Sequence, residues 1–182
     1  AIFGDALRRL ANQAKFMHSD LGRYWYSMSA SLNRVAGDRA AQIEEALVLL
    51  EIDKALITYI NGLGDRGHFD AVQAAPGTSA DVPDEPGGVR VIVLGVAYPH
   101  TGREGSDAMT EARDILLQRG NTPRVYRNML TFIVAESRQL DNLNAAMRAS
   151  LAWDEIVRDT KRLNLTQSDS ALAVAKLSEA KE

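Results

Sequence analysis

The sequence predicts an α/β fold, a small and mostly parallel sheet covered by helices, preceded by the last helix and wing of a winged-helix-like element. Residues 89–96 (VRVIVLGV) and 124–135 (RVYRNMLTFIVA) are apolar along most of their length. Strands of this kind are typical of parallel sheets that are buried on both faces. Both segments alternate with stretches of helical periodicity, which favours the α/β class.

The first part of the chain predicts a helix followed by an aromatic strand. In residues 2–19, apolar side chains recur every three or four positions from Phe3 to Met17, the pattern of a helix buried on one side. Gly22 interrupts the pattern, and residues 23–28 (RYWYSM) are β-prone. We interpret this arrangement as the end of a winged helix.

The following segments supply the α/β domain. We expect a helix from Asp38 to Gly62, strands at 69–75, 89–96 and 124–135, and a helix from Ser106 that Gly120 terminates. Ser137 starts a helix to about residue 160, and Thr166 with Asp169 match a capping box for a final helix. The predicted domains are 1–36, 37–162 and 163–182.

The predicted core joins two strands to the helix that follows them. Its strand residues are Val91, Val93, Leu130, Phe132 and Val134, and the helix residues expected to cover them are Leu143, Met147 and Leu151. Because these strands are expected to be central, Phe132→Ala is predicted to cost about 3–5 kcal/mol.

Composition excludes several classes of function. The net charge of −3 gives no broad basic surface for nucleic acid. The chain has no cysteine, which excludes a disulfide framework and a thiol nucleophile and fits a cytoplasmic protein. The longest apolar runs are too short to cross a bilayer, so no membrane partner is expected.

Sequence motifs predict no catalytic residue, no metal and no cofactor in this chain. Residues 95–105 (GVAYPHTGREG) follow a strand and precede a helix, but they lack the Gly-Lys-Ser/Thr ending of a phosphate-binding loop. His18, His68 and His100 are scattered, without metal-ligand spacing. A nuclease would need a lysine on the strand after Asp84, and no lysine lies between Lys54 and Lys161.

Two surfaces support alternative functions. Ligands of open α/β sheets bind beyond the carboxyl ends of the strands, where we expect a crevice lined by Ser79, Asp81, Tyr98, His100 and Glu136. Such a crevice suggests a small enzyme, although no catalytic dyad is recognisable. Arg119, Arg124 and Arg127 lie toward the amino ends and are interpreted as structural or interfacial.

The aromatic wing suggests nucleic-acid binding as another alternative. Its candidate residues are Arg23, Tyr24, Trp25 and Arg34. The wing of a winged helix can touch a DNA backbone or minor groove. The negative net charge favours instead the packing of these aromatic residues on neighbouring structure.

Four ordered segments resemble one protein family. They are residues 5–40, TSADVPDEPGG, VRVIVLGVAYPH and 122–153 (TPRVYRNMLTFIVAESRQLDNLNAAMRASLAW). Together they are similar to the AAA-like ATPases catalogued as domain-of-unknown-function family 499, whose relatives include the phage-growth-limitation ATPase of bacterial defence systems. The family usually has a Thr-Gln-Pro-like run after the aromatic strand, where this chain has MSAS.

The resemblance implies a place within a larger ATPase. In that family the phosphate-binding loop and the acidic magnesium motif lie upstream of the matched region, so ATP and Mg²⁺ would bind in the parent protein and not here. The chain opens and closes in helical periodicity without an initiating Met, and we expect it to be part of a longer polypeptide. The leading prediction is a non-catalytic accessory region that contacts the upstream ATPase core or another partner.

Overall fold

The computed structural model describes residues 2–14, 16–20, 23–26 and 31–181. The chain divides into two compact units. The central unit is Glu45–Asn144, and the terminal unit combines Ala1–Glu44 with Ala145–Glu182. The domains predicted from the sequence have boundaries after residues 36 and 162. These boundaries are not those of the two compact units, and they stay a prediction.

The described residues form helices and short strands in the following order. They are α1 (Ile2–Gln13), β1 (Met17–Asp20), β2 (Arg23–Tyr26), α2 (Leu32–Gln42), α3 (Glu45–Gly62), β3 (Ala71–Ala74), β4 (Arg90–Val93), α4 (Asp107–Leu117), β5 (Gln118–Arg119), β6 (Thr122–Pro123), β7 (Leu130–Ile133), α5 (Ser137–Arg158) and α6 (Gln167–Glu179). Short 3₁₀ turns lie at Ser79–Asp81 and Arg127–Met129.

The central unit contains the parallel sheet, which confirms the predicted α/β class. Three strands pair in the order β3-β4-β7, all parallel, with Ile92 of β4 opposite Phe132 of β7. Only β4 is therefore central. The prediction that residues 124–135 form one long central strand is wrong, because a 3₁₀ turn occupies Arg127–Met129 and the strand itself is only Leu130–Ile133, at the edge of this sheet.

Helices α3 and α4 supply the buried side chains around this sheet. The core cluster on one face comprises Val82, Ile92, Leu94 and Ile115, with Tyr98, Ala112, Leu130, Phe132 and Val134 packed against it. Val48 and Ile52 of α3 are also buried, and α3 packs beside β3. The predicted cover by Leu143 is wrong, since its side chain is 40% exposed and α4 fills that role through Ala112 and Ile115.

The terminal unit is mainly helical and has its own core. Leu32, Ala36, Trp153, Ile156 and Ala173 form its buried cluster. Arg39 of α2 pairs with Asp159 (2.7 Å) and Glu155 (3.4 Å) of α5. The capping box predicted at Thr166 and Asp169 is present at the start of α6.

Two predicted helices are divided differently in the structure. The helix expected from Asp38 to Gly62 is two helices, α2 and α3, because the chain is extended at Ile43. Arg148 donates hydrogen bonds to the Ala40 and Ile43 carbonyls and so satisfies the end of α2. The helix expected over residues 2–19 ends at Gln13, and β1 then pairs antiparallel with β2.

Among the described residues, no helix is long and apolar enough to pass through a lipid bilayer.

Candidate site at the carboxyl end of the sheet

The turn after β4 is built around a carboxylate from α3. The Val96 N–H donates a hydrogen bond of 3.0 Å to Asp53 Oδ1. A Cβ atom added at Gly95 would lie 2.9 Å from Asp53 Oδ2. A side chain at this position would therefore displace the Asp53 carboxylate, a long-range effect that sequence spacing does not reveal.

The same turn is unsuited to holding phosphate. A phosphate-binding loop directs free backbone N–H groups at the anion. Here the Val96 N–H is taken by a carboxylate, the Tyr98 N–H bonds the Gly95 carbonyl (3.1 Å), and the His100 N–H bonds the Ala135 carbonyl (2.8 Å). The Asp53 carboxylate would also repel a phosphate in this position.

His100 joins three segments at this end of the sheet. Its backbone forms a parallel bridge to Glu136, and its carbonyl accepts from the Ser137 N–H (3.0 Å). Its ring Nδ1 lies 2.9 Å from the Ser106 hydroxyl. Ser106 is the N-cap residue of α4, but its buried hydroxyl bonds the imidazole and not the helix N–H groups.

The His100–Ser106 pair was not found by sequence reasoning, which interpreted Ser106 only as a helix cap. The signal that could have found it is the turn between them, where Gly102 and Gly105 have φ values of +77° and +84°. Such glycines allow the five residues between His100 and Ser106 to fold back on themselves. The buried position of Ser106 favours a structural contact over a nucleophile that substrate must reach.

The other predicted crevice residues make separate contacts. Ser79 Oγ accepts from the Gly120 N–H (3.2 Å), and Asp81 Oδ2 accepts from the Thr78 N–H (2.8 Å). Tyr98 packs against the core, and Glu136 Oε1 lies 3.7 Å from Arg138 Nε.

Of these five residues, Ser79 and Asp81 share one 3₁₀ turn, and the main chains of His100 and Glu136 form a bridge. Within the described parts of the chain, no hydrogen bond joins two of the five predicted side chains. The described residues also contain no group of three or more side chains that could bind a metal ion.

Arg124 is the most extensively bonded side chain of the central unit. Its side chain is 0% exposed. Its guanidinium donates to the backbone carbonyls of Ile115 (2.7 Å), Pro83 (2.7 Å), Val82 (3.0 Å), Ser79 (3.3 Å) and Gln118 (3.4 Å). The structural interpretation of Arg124 is confirmed: it connects the end of α4 to the loop that contains Ser79, Val82 and Pro83.

Asp84 complements this arginine. Its two carboxylate oxygens accept the Val125 N–H (2.8 Å) and the Tyr126 N–H (2.9 Å), and Oδ1 lies 4.0 Å from Arg124 Nη1. The Val125 N–H, with the Tyr126 N–H and the charges of Arg124 and Arg119, holds the pKa of Asp84 below its usual value, against the opposing effect of burial. Burial in turn lowers the pKa of Arg124, although an arginine stays protonated.

The predicted nucleic-acid residues lie in two different elements. Arg23, Tyr24 and Trp25 belong to β2, where Arg23 is exposed and Tyr24 is half-buried. Arg34 lies in α2, and its guanidinium pairs with Asp38 at 3.0 Å. The ion pair offsets the charge that Arg34 would offer to a phosphate.

An open cavity of about 280 Å³ lies beside the first turns of α4. Its lining residues are Glu104, Gly105, Met109, Thr110 and Arg113. This volume approaches the lower end for small-molecule sites, about 300 Å³.

No protein-family model, curated protein or solved structure matches the chain.

Proposed function

We propose that this chain is a non-catalytic accessory region of a large AAA-like ATPase, serving contact with the upstream ATPase core of the same polypeptide or with a partner protein. The observation that supports this most directly is the Asp53 carboxylate bonded to the Val96 N–H. It lies in the one loop whose sequence context suits phosphate binding. ATP and Mg²⁺ would then act in the parent protein, as the family resemblance implies.

Isothermal titration of the chain with Mg-ATP tests this proposal. We expect no binding heat and no change in melting temperature, because the N–H groups of Val96, Tyr98 and His100 are engaged internally. An Asp53→Asn variant, which removes the negative charge of this side chain, is the matched control for electrostatic repulsion of ATP. Weak ATP binding that appears only in this variant would attribute the exclusion to the carboxylate. Binding of Mg-ATP to the unmodified chain in the micromolar range would contradict the proposal.

The complete polypeptide provides the second part of the test. Its ATP hydrolysis should disappear when the lysine of its own upstream phosphate-binding loop is replaced. Substitutions confined to residues 45–144 should leave single-turnover hydrolysis intact while changing the partners that co-purify with it. Loss of single-turnover hydrolysis in a folded His100→Ala variant would instead place chemistry within this chain.

The β1–β2 hairpin favours nucleic-acid binding as a second candidate function. It follows α1 as the wing of a winged helix would, and it carries the exposed Arg23. Arg23→Ala and Trp25→Ala should weaken binding to duplex DNA, and affinity should fall steeply with salt. Arg138→Ala, which removes an exposed arginine side chain elsewhere, is the matched control. An absent band shift at low salt would exclude this candidate for the chain.

A further inference from the structure

Helix α3 is apolar on two opposite sides, and only one of them is covered. Val48 and Ile52 are buried within the central unit. Leu47, Leu50 and Ile57 are 45%, 51% and 36% exposed. An apolar stripe along a helix normally packs against other structure. The exposed side is therefore a surface that a partner would cover.

The exposed residues have the spacing of a helix-pairing seam. Leu47, Leu50, Lys54 and Ile57 follow one another at intervals of three, four and three residues, which are successive a and d positions of a heptad. Val48 and Ile52 lie away from this seam, so the helix can pair through one side while the other remains in the core. With 18 residues, α3 is about 27 Å long, enough for several layers of contact.

Lys54 determines which partner and which orientation fit. In a parallel pair of identical helices, Lys54 would face Lys54 within an apolar seam, and the like charges would repel. In an antiparallel pair, a positions face d positions, so Leu47 lies across from Ile57 and Lys54 from Leu50. Each ammonium group then lies beside Glu51 of the other copy, the residue that it already contacts at 2.6 Å within its own helix.

We propose that α3 pairs with α3 of a second copy of this chain, in an antiparallel and two-fold symmetric arrangement. The seam is self-complementary in the spacing of its residues and in charge, which a two-fold interface requires. One helix stripe buries less than the roughly 800 Å² per partner of a standard interface, so the dimer is weak and forms at micromolar or higher concentrations. The proposal is independent of whether the parent protein hydrolyses ATP.

Sedimentation velocity on the 182-residue chain, from about 1 µM to about 1 mM, tests this pairing. We expect a monomer that converts to a dimer as concentration rises. Leu50→Glu should raise the dissociation constant at least about tenfold. Val174→Glu, at a helix residue that is 55% exposed outside the seam, is the matched control and should leave association unchanged. A monomer at every concentration, or equal effects of both variants, would overturn the proposal.

Charge exchange tests the contact while keeping the apolar seam intact. Lys54→Glu should weaken the dimer, and the double variant Glu51→Lys/Lys54→Glu should restore it, because both partners of each ion pair are exchanged. Circular dichroism would verify that each variant is folded. Failure of the double variant to restore association would contradict the predicted contact.

Disulfide capture tests the orientation. Because the chain has no cysteine, introduced thiols are unique. An equimolar mixture of Leu50→Cys and Lys54→Cys should oxidise mainly to the mixed dimer, which mass spectrometry identifies. If the mixture instead formed mainly disulfides between two copies of the same variant, the helices would be parallel and the antiparallel arrangement would be refuted.

Discussion

Replacing Arg124 by methionine removes the guanidinium while leaving an unbranched side chain of comparable reach. Five backbone carbonyl oxygens lose their donor. Three of these bonds, to Ile115, Pro83 and Val82, are 3.0 Å or shorter and carry most of the stabilisation. The remaining methionine cannot satisfy any of these oxygens.

The expected cost follows from these three bonds. Hydrogen bonds from a charged donor contribute about 1.5–3 kcal/mol each, so three independent bonds would give about 4.5–9 kcal/mol. They are not independent, because one guanidinium makes them all and the freed carbonyls can recruit water. Breaking a buried charged network typically costs about 3–5 kcal/mol, and we expect about 4 kcal/mol for Arg124→Met. A domain of ordinary stability has only about 5–15 kcal/mol in total.

A lysine variant at this position separates the effect of the positive charge from the effect of the donor arrangement. Arg124→Lys keeps the positive charge beside Asp84. A lysine carries all its N–H donors on one nitrogen, however, and that nitrogen cannot reach all the carbonyl oxygens that surround the planar guanidinium of arginine. We expect it to cost about 2–3 kcal/mol. Near-complete rescue by lysine would show that charge, and not the arrangement of donors, is what the site requires.

Urea unfolding followed by circular dichroism measures these differences. Arg138→Met is the matched control, because that arginine side chain is 87% exposed and its loss should change the free energy of unfolding by no more than about 0.5 kcal/mol. A cost below about 1 kcal/mol for Arg124→Met would refute the assignment of Arg124 as the bond between α4 and the 79–83 loop.

Three further predictions concern the sheet and its loops. Gly95→Ala should destabilise the protein by about 1–3 kcal/mol through contact with Asp53, and Asp53→Ala should remove most of that additional cost in a double-mutant cycle. Ile92→Ala should cost about 4 kcal/mol of unfolding free energy, but Phe132→Ala only about 2–3 kcal/mol, because Phe132 is half-buried on an edge strand. A larger cost for Phe132→Ala than for Ile92→Ala in urea unfolding would contradict the central position of β4. The lowered pKa of Asp84 contributes stability that is present above the ordinary aspartate pKa of about 4 and is lost as pH falls through the lower folded-state value; Asp84→Asn should flatten this acid limb of the stability curve.

Local chemistry made some features predictable from the sequence. The capping box at Thr166 needs only residues within one turn, and it formed as expected. Gly120 has a φ of +57°, a conformation that glycine adopts with little cost, but it lies in the turn between β5 and β6 and not at the predicted helix end, because α4 ends at Leu117. The parallel class followed from apolar strands alternating with helices. The Asp53–Val96 contact joins residues 43 positions apart, and no local pattern indicates it.

The predicted strand boundaries were wrong for a physical reason, which residues 89–96 illustrate. Leu94 and Val96 are buried, yet both lie beyond the end of β4, in the loop that Asp53 organises. An apolar pattern therefore reports burial, and a buried loop produces the same pattern as a buried strand. On α3 the apolar pattern does not correspond to burial within one chain, because Leu47 and Leu50 are as apolar as core residues but are exposed. If the antiparallel pairing of α3 is correct, the sequence pattern there reports burial in the dimer. Protection of Leu50 that rises with protein concentration, in a solvent-accessibility measurement, would demonstrate this pairing.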